Sequence, residues 1–106
     1  MPSKKEKTLD SLVRALCADY ARRRECVEKE LVGRRVRMEY VYLNSKILEA
    51  SAEICGPNLA EIFITEIGEA IGYAASSVDC LGESAYKQYK SEIVRNVAKK
   101  LHLRDF

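Results

Sequence analysis

Between residues 47 and 86 the chain has no lysine and no arginine, while seven acidic residues fall in that window: Glu49, Glu53, Glu61, Glu66, Glu69, Asp79 and Glu83. That gap excludes the middle of the chain from contacts that need a cation on a phosphate. The flanks carry the basic charge, with twelve Lys/Arg against seven Asp/Glu in residues 1–46 and six against two in residues 87–106. The formal net charge of +2 therefore conceals two basic ends and an acidic centre, each suited to a different partner once folded.

Other scarcities narrow the class. Two prolines and five glycines in 106 residues, with 47% apolar and 32% charged side chains, describe a helical globular composition and not a disordered one. The length suits one domain, residues 8–106, preceded by a basic tail of residues 1–7 that is expected to fray. No long uncharged apolar run occurs, which argues against a membrane partner and a signal segment and makes the cytoplasm the expected location. Cys17, Cys26, Cys55 and Cys80 are separated by 9, 29 and 25 residues, without a Cys-x-x-Cys pair and with His102 as the one histidine. Such spacing offers no zinc site and no disulfide framework, so buried free thiols are expected. No glycine-rich phosphate loop or activated nucleophile is present, and no cofactor, catalytic residue or small-molecule substrate is expected. Tyr86 with Lys90, and Tyr42 with Lys46, share a four-residue spacing used by some reductases, but without a dinucleotide-binding fold these are helix neighbours.

Periodicity supplies the architecture. Residues 9–32 repeat apolar side chains at three- and four-residue steps (Leu9, Leu12, Val13, Leu16, Tyr20, Val27), with Thr8 placed to cap the helix and Gly33 to end it in a left-handed conformation. From Arg34 to Cys55 the steps between Val36, Tyr40, Leu43, Ile47, Ala50 and Ile54 are 4, 3, 4, 3 and 4, which is one helical face about 33 Å long. Gly56-Pro57-Asn58 stops this helix, and Asn58 with Glu61 suggests a capping box for a third helix from about Leu59. That helix turns its acidic residues away from its apolar side, and it ends at Gly72 or continues towards Val78. Ser84 is expected to cap a last helix that runs to about Leu101, with Tyr86, Tyr89, Ile93, Val97 and Leu101 on its inner side. The pattern predicts an all-α domain: a compact bundle of four to five helices with a long helix 1/helix 2 hairpin and a C-terminal helix-turn-helix-like unit.

Two overlapping helix-turn-helix readings compete within that unit. In the first, Thr65-Glu66-Ile67-Gly68-Glu69-Ala70-Ile71-Gly72-Tyr73 precedes a reading helix over residues 74–82. That helix would present Ser76, Ser77, Asp79 and Cys80 without one cation, so it is rejected as a DNA reader. In the second, the turn Leu81-Gly82-Glu83-Ser84 launches the final helix, whose Ser84, Lys87, Gln88, Lys90 and Ser91 suit base edges or phosphates and whose Arg95, Lys99 and Lys100 extend the cationic side.

The segments Gly82-Glu83-Ser84-Ala85-Tyr86-Lys87-Gln88-Tyr89-Lys90 and Val97-Ala98-Lys99-Lys100-Leu101 resemble the C-terminal helix-turn-helix of sigma-factor-like regulators, including phage-encoded late-gene transcription regulators. The resemblance covers about a third of the chain. It departs from the family in the long stretch between Gly72 and Ser84, and at Asp79 and Cys80, where an apolar residue and a glycine are preferred. What it implies is a small DNA-binding transcription regulator of a phage or mobile element.

A second basic cluster runs through Arg22, Arg23, Arg24, Arg34, Arg35 and Arg37, with Glu25, Glu28 and Glu30 interleaved. A hairpin about Gly33 would gather these arginines at one end, where Arg34, Arg35 and Arg37 could contact phosphates. Two functions follow: a double-stranded-DNA-binding regulator working through the last helix and the arginines, or a helical protein–protein interaction module. The second would be a homodimer, or an inhibitor or adaptor of a larger protein, using the acidic centre.

Overall fold

Each amphipathic stripe needs a cover, and the computed structural model, which describes residues 4–103, shows which stripes receive one. Five α-helices and a 3-10 turn follow in order: α1 (Lys4–Ala18), α2 (Tyr20–Glu28), α3 (Arg34–Cys55), α4 (Ala60–Gly68), the turn Tyr73–Ala75, and α5 (Glu83–Lys100). No strand occurs among the described residues, so the domain is an all-α bundle. Residues 1–3 and 104–106 lie outside the described part. Of the expected tail, residues 4–7 already belong to α1, which places Thr8 inside that helix and not at its cap.

The first helical stripe is not continuous. At Asp19 (φ −93°, ψ 0°) the helix bends into α1 and α2. α2 packs on α3 as the expected hairpin, whereas α1 turns to α4 and α5, and α3 packs on α4 and α5. The core therefore draws on every helix: Val13 and Cys17 of α1, Tyr20 of α2, Ile47 and Ala50 of α3, Phe63, Ile64 and Ile67 of α4, and Tyr86, Ile93 and Val97 of α5. α1 and α4 cross so closely that a methyl group on Gly68 would stand 2.6 Å from Ala18 Cα. Glycine is required there for backbone approach.

Arg23 explains how the bend is tolerated. Its guanidinium is buried, donating from Nη2 to the Leu16 carbonyl and from Nε to Asn44 Oδ1 at 2.8 Å. Asn44 Nδ2 in turn donates to the Tyr20 carbonyl at 3.0 Å. Carbonyls beside an interrupted helix lose their regular partners, and leaving them unsatisfied in a core costs about 1–3 kcal/mol each. A side chain expected to serve as a surface cation thus became part of the interior.

The helix ends also differ from the expected ones. Gly33 is extended (φ −66°, ψ 165°) and precedes α3, so it is not the left-handed residue that closes the preceding helix. That conformation falls on Glu30 (φ 53°), with Leu31 N–H donating to the Cys26 carbonyl and Glu30 N–H to Val27. Ala70 (φ 55°) closes α4 and His102 (φ 54°) closes α5 by the same pair of bonds. All three are Schellman endings without glycine. Gly56 (φ 85°, ψ 161°) ends α3 in a region essentially restricted to glycine, as Gly56-Pro57-Asn58 suggests. Asn58 and Ser84 are not the caps, since α4 is preceded by Leu59 and α5 by Gly82, neither with a side-chain cap bond.

α4 stops at Gly68, and residues 69–82 connect it to α5. Glu66 organises that connection. It is only 3% exposed, and it accepts from Ser77 N–H (2.9 Å), Ser77 Oγ (2.9 Å), Ser76 Oγ (2.5 Å) and Tyr86 Oη (2.6 Å). Burial alone would raise its pKa, but these donors together hold the carboxyl below its ordinary value. One glutamate of the supposedly solvated acidic face is therefore an internal anchor. The cysteines are free, but only Cys17 is buried; Cys26 and Cys55 are half-buried and Cys80 is exposed. Burial pushes the Cys17 thiol up to about 11.

Candidate interaction surfaces

The side chains of the last helix divide into three groups. Ser84, Lys87, Gln88, Ser91, Arg95 and Lys99 are exposed and share the outer side of α5. Two of these are engaged along the helix: Lys87 Nζ lies 3.0 Å from Glu83, and Gln88 Nε2 donates to Glu92 at 3.2 Å. Arg95 and Lys99 form no ion pair among the described residues. Lys90 and Lys100 face their own protein instead.

Lys90 is half-buried over the Tyr86 ring at 5.2 Å and donates to the Ile71 carbonyl at 2.6 Å. Burial, followed by the Arg14 charge, lowers its pKa. Tyr86 has its hydroxyl on Glu66 and its ring against Phe63 and Tyr73, at 5.4 and 5.7 Å. Both members of the Tyr86–Lys90 pair thus hold the 69–82 connection in place. Lys100 bridges the α3 carboxylates, with Nζ 2.8 Å from Glu49 and in contact with Glu53. Asn96 adds a bond to the Ala50 carbonyl at 3.0 Å.

The arginines do not gather into one cation cluster. Arg22 pairs with Asp19 at 2.6 Å, Arg24 with Glu61 at 2.8 Å and Arg37 with Glu30 at 3.6 Å, while Arg23 is buried. Arg34 and Arg35 remain exposed and form no ion pair among the described residues. They are also remote from α5. Lys100 meets α3 at Glu49, fifteen residues beyond Arg34, which corresponds to about 22 Å along the helix axis.

Sequence reasoning missed the other side of α3. Its inner stripe behaves as spaced for Ile47 and Ala50, which are fully buried, but Val36, in the half of α3 that packs mainly on α2, stays 37% exposed. On the opposite side Met38, Val41 and Tyr42 are 63%, 50% and 50% exposed, and Leu31 just before the helix is 64% exposed. At 100° per residue, Arg34, Met38, Val41, Tyr42, Ser45, Glu49 and Ala52 fall within a strip about 100° wide. The available signal was the run Val36, Met38, Val41, Tyr42, which is too apolar for one buried stripe of a helix that must also show a solvated side.

Beside this strip lies a groove of about 740 Å³ between α3 and α4, lined by Leu48, Ala52, Pro57 and Ile62 with Glu49 and Glu61 at its edge. A second depression of about 430 Å³ is formed by Met38, Glu39, Tyr42 and Leu43. No helix among the described residues is long and apolar enough to cross a membrane. No family model matches the chain, and no match was found among curated proteins or solved structures. The functional reading therefore rests on this chain's own residues.

Proposed function

We propose that this chain is a non-catalytic helical protein–protein interaction module whose working surface is the outer side of α3. The observation that carries the reading is the exposure of Met38, Val41 and Tyr42 on the side of α3 turned away from α2, in the half of the helix that packs mainly on α2. Scattered exposed apolar residues are ordinary, but several on one helix face, joined to an apolar groove, fit a binding surface. The acidic centre contributes to that surface through Glu49 and Glu61 at the rim of the groove.

A photo-crosslinking residue at position 42 of the full chain, expressed in cells, tests this. Discrete crosslinked species that disappear on Met38→Asp with Val41→Asp, while the circular dichroism spectrum stays helical, support the reading. A chain that remains uncrosslinked overturns it.

A second reading has its own observation. The outer side of α5 presents Ser84, Lys87, Gln88, Ser91, Arg95 and Lys99 to solvent, the side chains expected of a groove-reading helix in a small phage-type transcription regulator. Its phosphate contacts would come from Arg95, Lys99 and, at a distance, Arg34 and Arg35. Salt-dependent duplex binding by fluorescence anisotropy, weakened by Arg95→Ala with Lys99→Ala, favours it; salt-independent or absent binding removes it.

A further inference from the structure

Resting on the interaction reading, we infer that the partner on α3 is a second copy of this chain, laid antiparallel along the same helix about a two-fold axis near Val41 and Tyr42. The distribution of charge along the exposed strip supports this choice. It begins with two cations that form no ion pair, Arg34 and Arg35, continues through apolar Met38, Val41 and Tyr42, and ends at Glu49 and Glu53. A strip that is basic at one end and acidic at the other opposes itself in a parallel pairing and complements itself in an antiparallel one.

The register follows from the numbering. With the axis between residues 41 and 42, position 34 of one copy faces position 49 of the other, so Arg34 meets Glu49 at both ends. Arg35, one residue on, faces position 48 and reaches the same carboxylate. Met38 faces Ser45 across the axis, leaving the Val41 and Tyr42 side chains of both copies at the centre. Along one flank Glu39 of each copy lies within two residues of the position facing Lys46 of the other. A two-fold contact is self-complementary at each of these places, which an unrelated partner would have to reproduce independently.

Lys100 bridges Glu49 and Glu53, and Lys46 Nζ stands 3.9 Å from Glu49, but the acidic end leaves both carboxylate side chains nearly half exposed, at 48% and 46%. It can accept an arginine from outside without losing its internal contact. Exposed pairs of this kind set register and salt dependence, while the apolar centre supplies the association.

Sedimentation of the full chain from low to high micromolar concentration provides the test. The expected result is a monomer–dimer equilibrium that weakens with added salt. Arg34→Glu with Arg35→Glu in one preparation, and Glu49→Lys in another, each should dissociate about tenfold more readily. Mixed together, the two should form a heterodimer, because each then carries the charge the other requires. Glu53 keeps Lys100 engaged in the Glu49→Lys chain, and helical circular dichroism confirms that both variants fold.

A wild-type monomer at every concentration overturns the self-pairing, as does a dimer indifferent to these charge changes or one that the mixture fails to restore. If the wild type is monomeric and the residue at position 42 still crosslinks to a different protein, self-pairing fails and the interaction reading survives. If that residue crosslinks to nothing, both fail.

Discussion

The two halves of α3 share one helical period but have opposite fates. From Lys46 onward Ile47, Ala50 and Ser51 are buried against α4 and α5, and Ser51 Oγ donates to the Ala60 carbonyl at 2.9 Å. Before it, the helix touches mainly α2 and leaves Val36, Met38, Val41 and Tyr42 in contact with solvent. A hydrophobic repeat thus marks the side on which burial is available. Whether it occurs depends on another element reaching that far.

Substitutions can break this contrast, and the largest effect belongs to the covered half. Ile47→Ala removes a fully buried side chain from the main cluster and should lower stability by about 3 kcal/mol in urea unfolding. A loss under about 1 kcal/mol would mean that this half is no better packed than the other. Gly68→Ala sharpens the same point at the α1–α4 crossing. Its new methyl group meets backbone at 2.6 Å, so a loss of about 2 kcal/mol is expected, read as a lower thermal midpoint.

Glu66 supplies an intermediate effect with a pH signature. Because its folded pKa lies below the ordinary 4.5, its ionised form contributes stability that is fully present above that value and lost as pH falls through the folded one. Glu66→Gln should cost about 1–2 kcal/mol at neutral pH and flatten part of the acid-side loss in a pH series of unfolding curves. Unchanged acid sensitivity would shift the whole effect to exposed carboxylates such as Asp19 and Glu49, whose pKa values are also lowered by their basic partners. The smallest effect is expected on the solvent side of the first half. Met38→Ala at low protein concentration should change stability by less than about 0.5 kcal/mol. A larger loss in the dilute monomer would show that this side is packed after all.

The repeat at 4, 3, 4, 3 and 4 spacing located α3, and the apolar positions Tyr86, Ile93 and Val97 located the inner side of α5, because local period alone determines which residues share a face. What stayed illegible depends on contacts distant in sequence. Arg23 reads as one of three consecutive surface arginines until α1 bends and exposes the Leu16 carbonyl. Glu66 reads as one of seven solvated acids, although its position three after Phe63 and one before Ile67 places it within the apolar stripe. Its donors come from Ser76, Ser77 and Tyr86, ten to twenty residues away. Lys90 and Lys100 fit a cationic recognition helix by spacing, yet the Ile71 carbonyl and the α3 carboxylates engage them. The α3 outer strip was hidden for the opposite reason: apolar residues invite assignment to a core, and only the fold shows where the core ends.

The three helix endings at Glu30, Ala70 and His102 carry a consequence for how the molecule tolerates change. Each holds an L-residue in the left-handed region at a cost of roughly 1 kcal/mol relative to glycine, partly offset by the greater freedom glycine regains on unfolding. None of the three positions lies in the core. The chain therefore keeps unrealised stability at three peripheral points, on which substitutions that remodel the α3 surface could draw while the interior stays as it is.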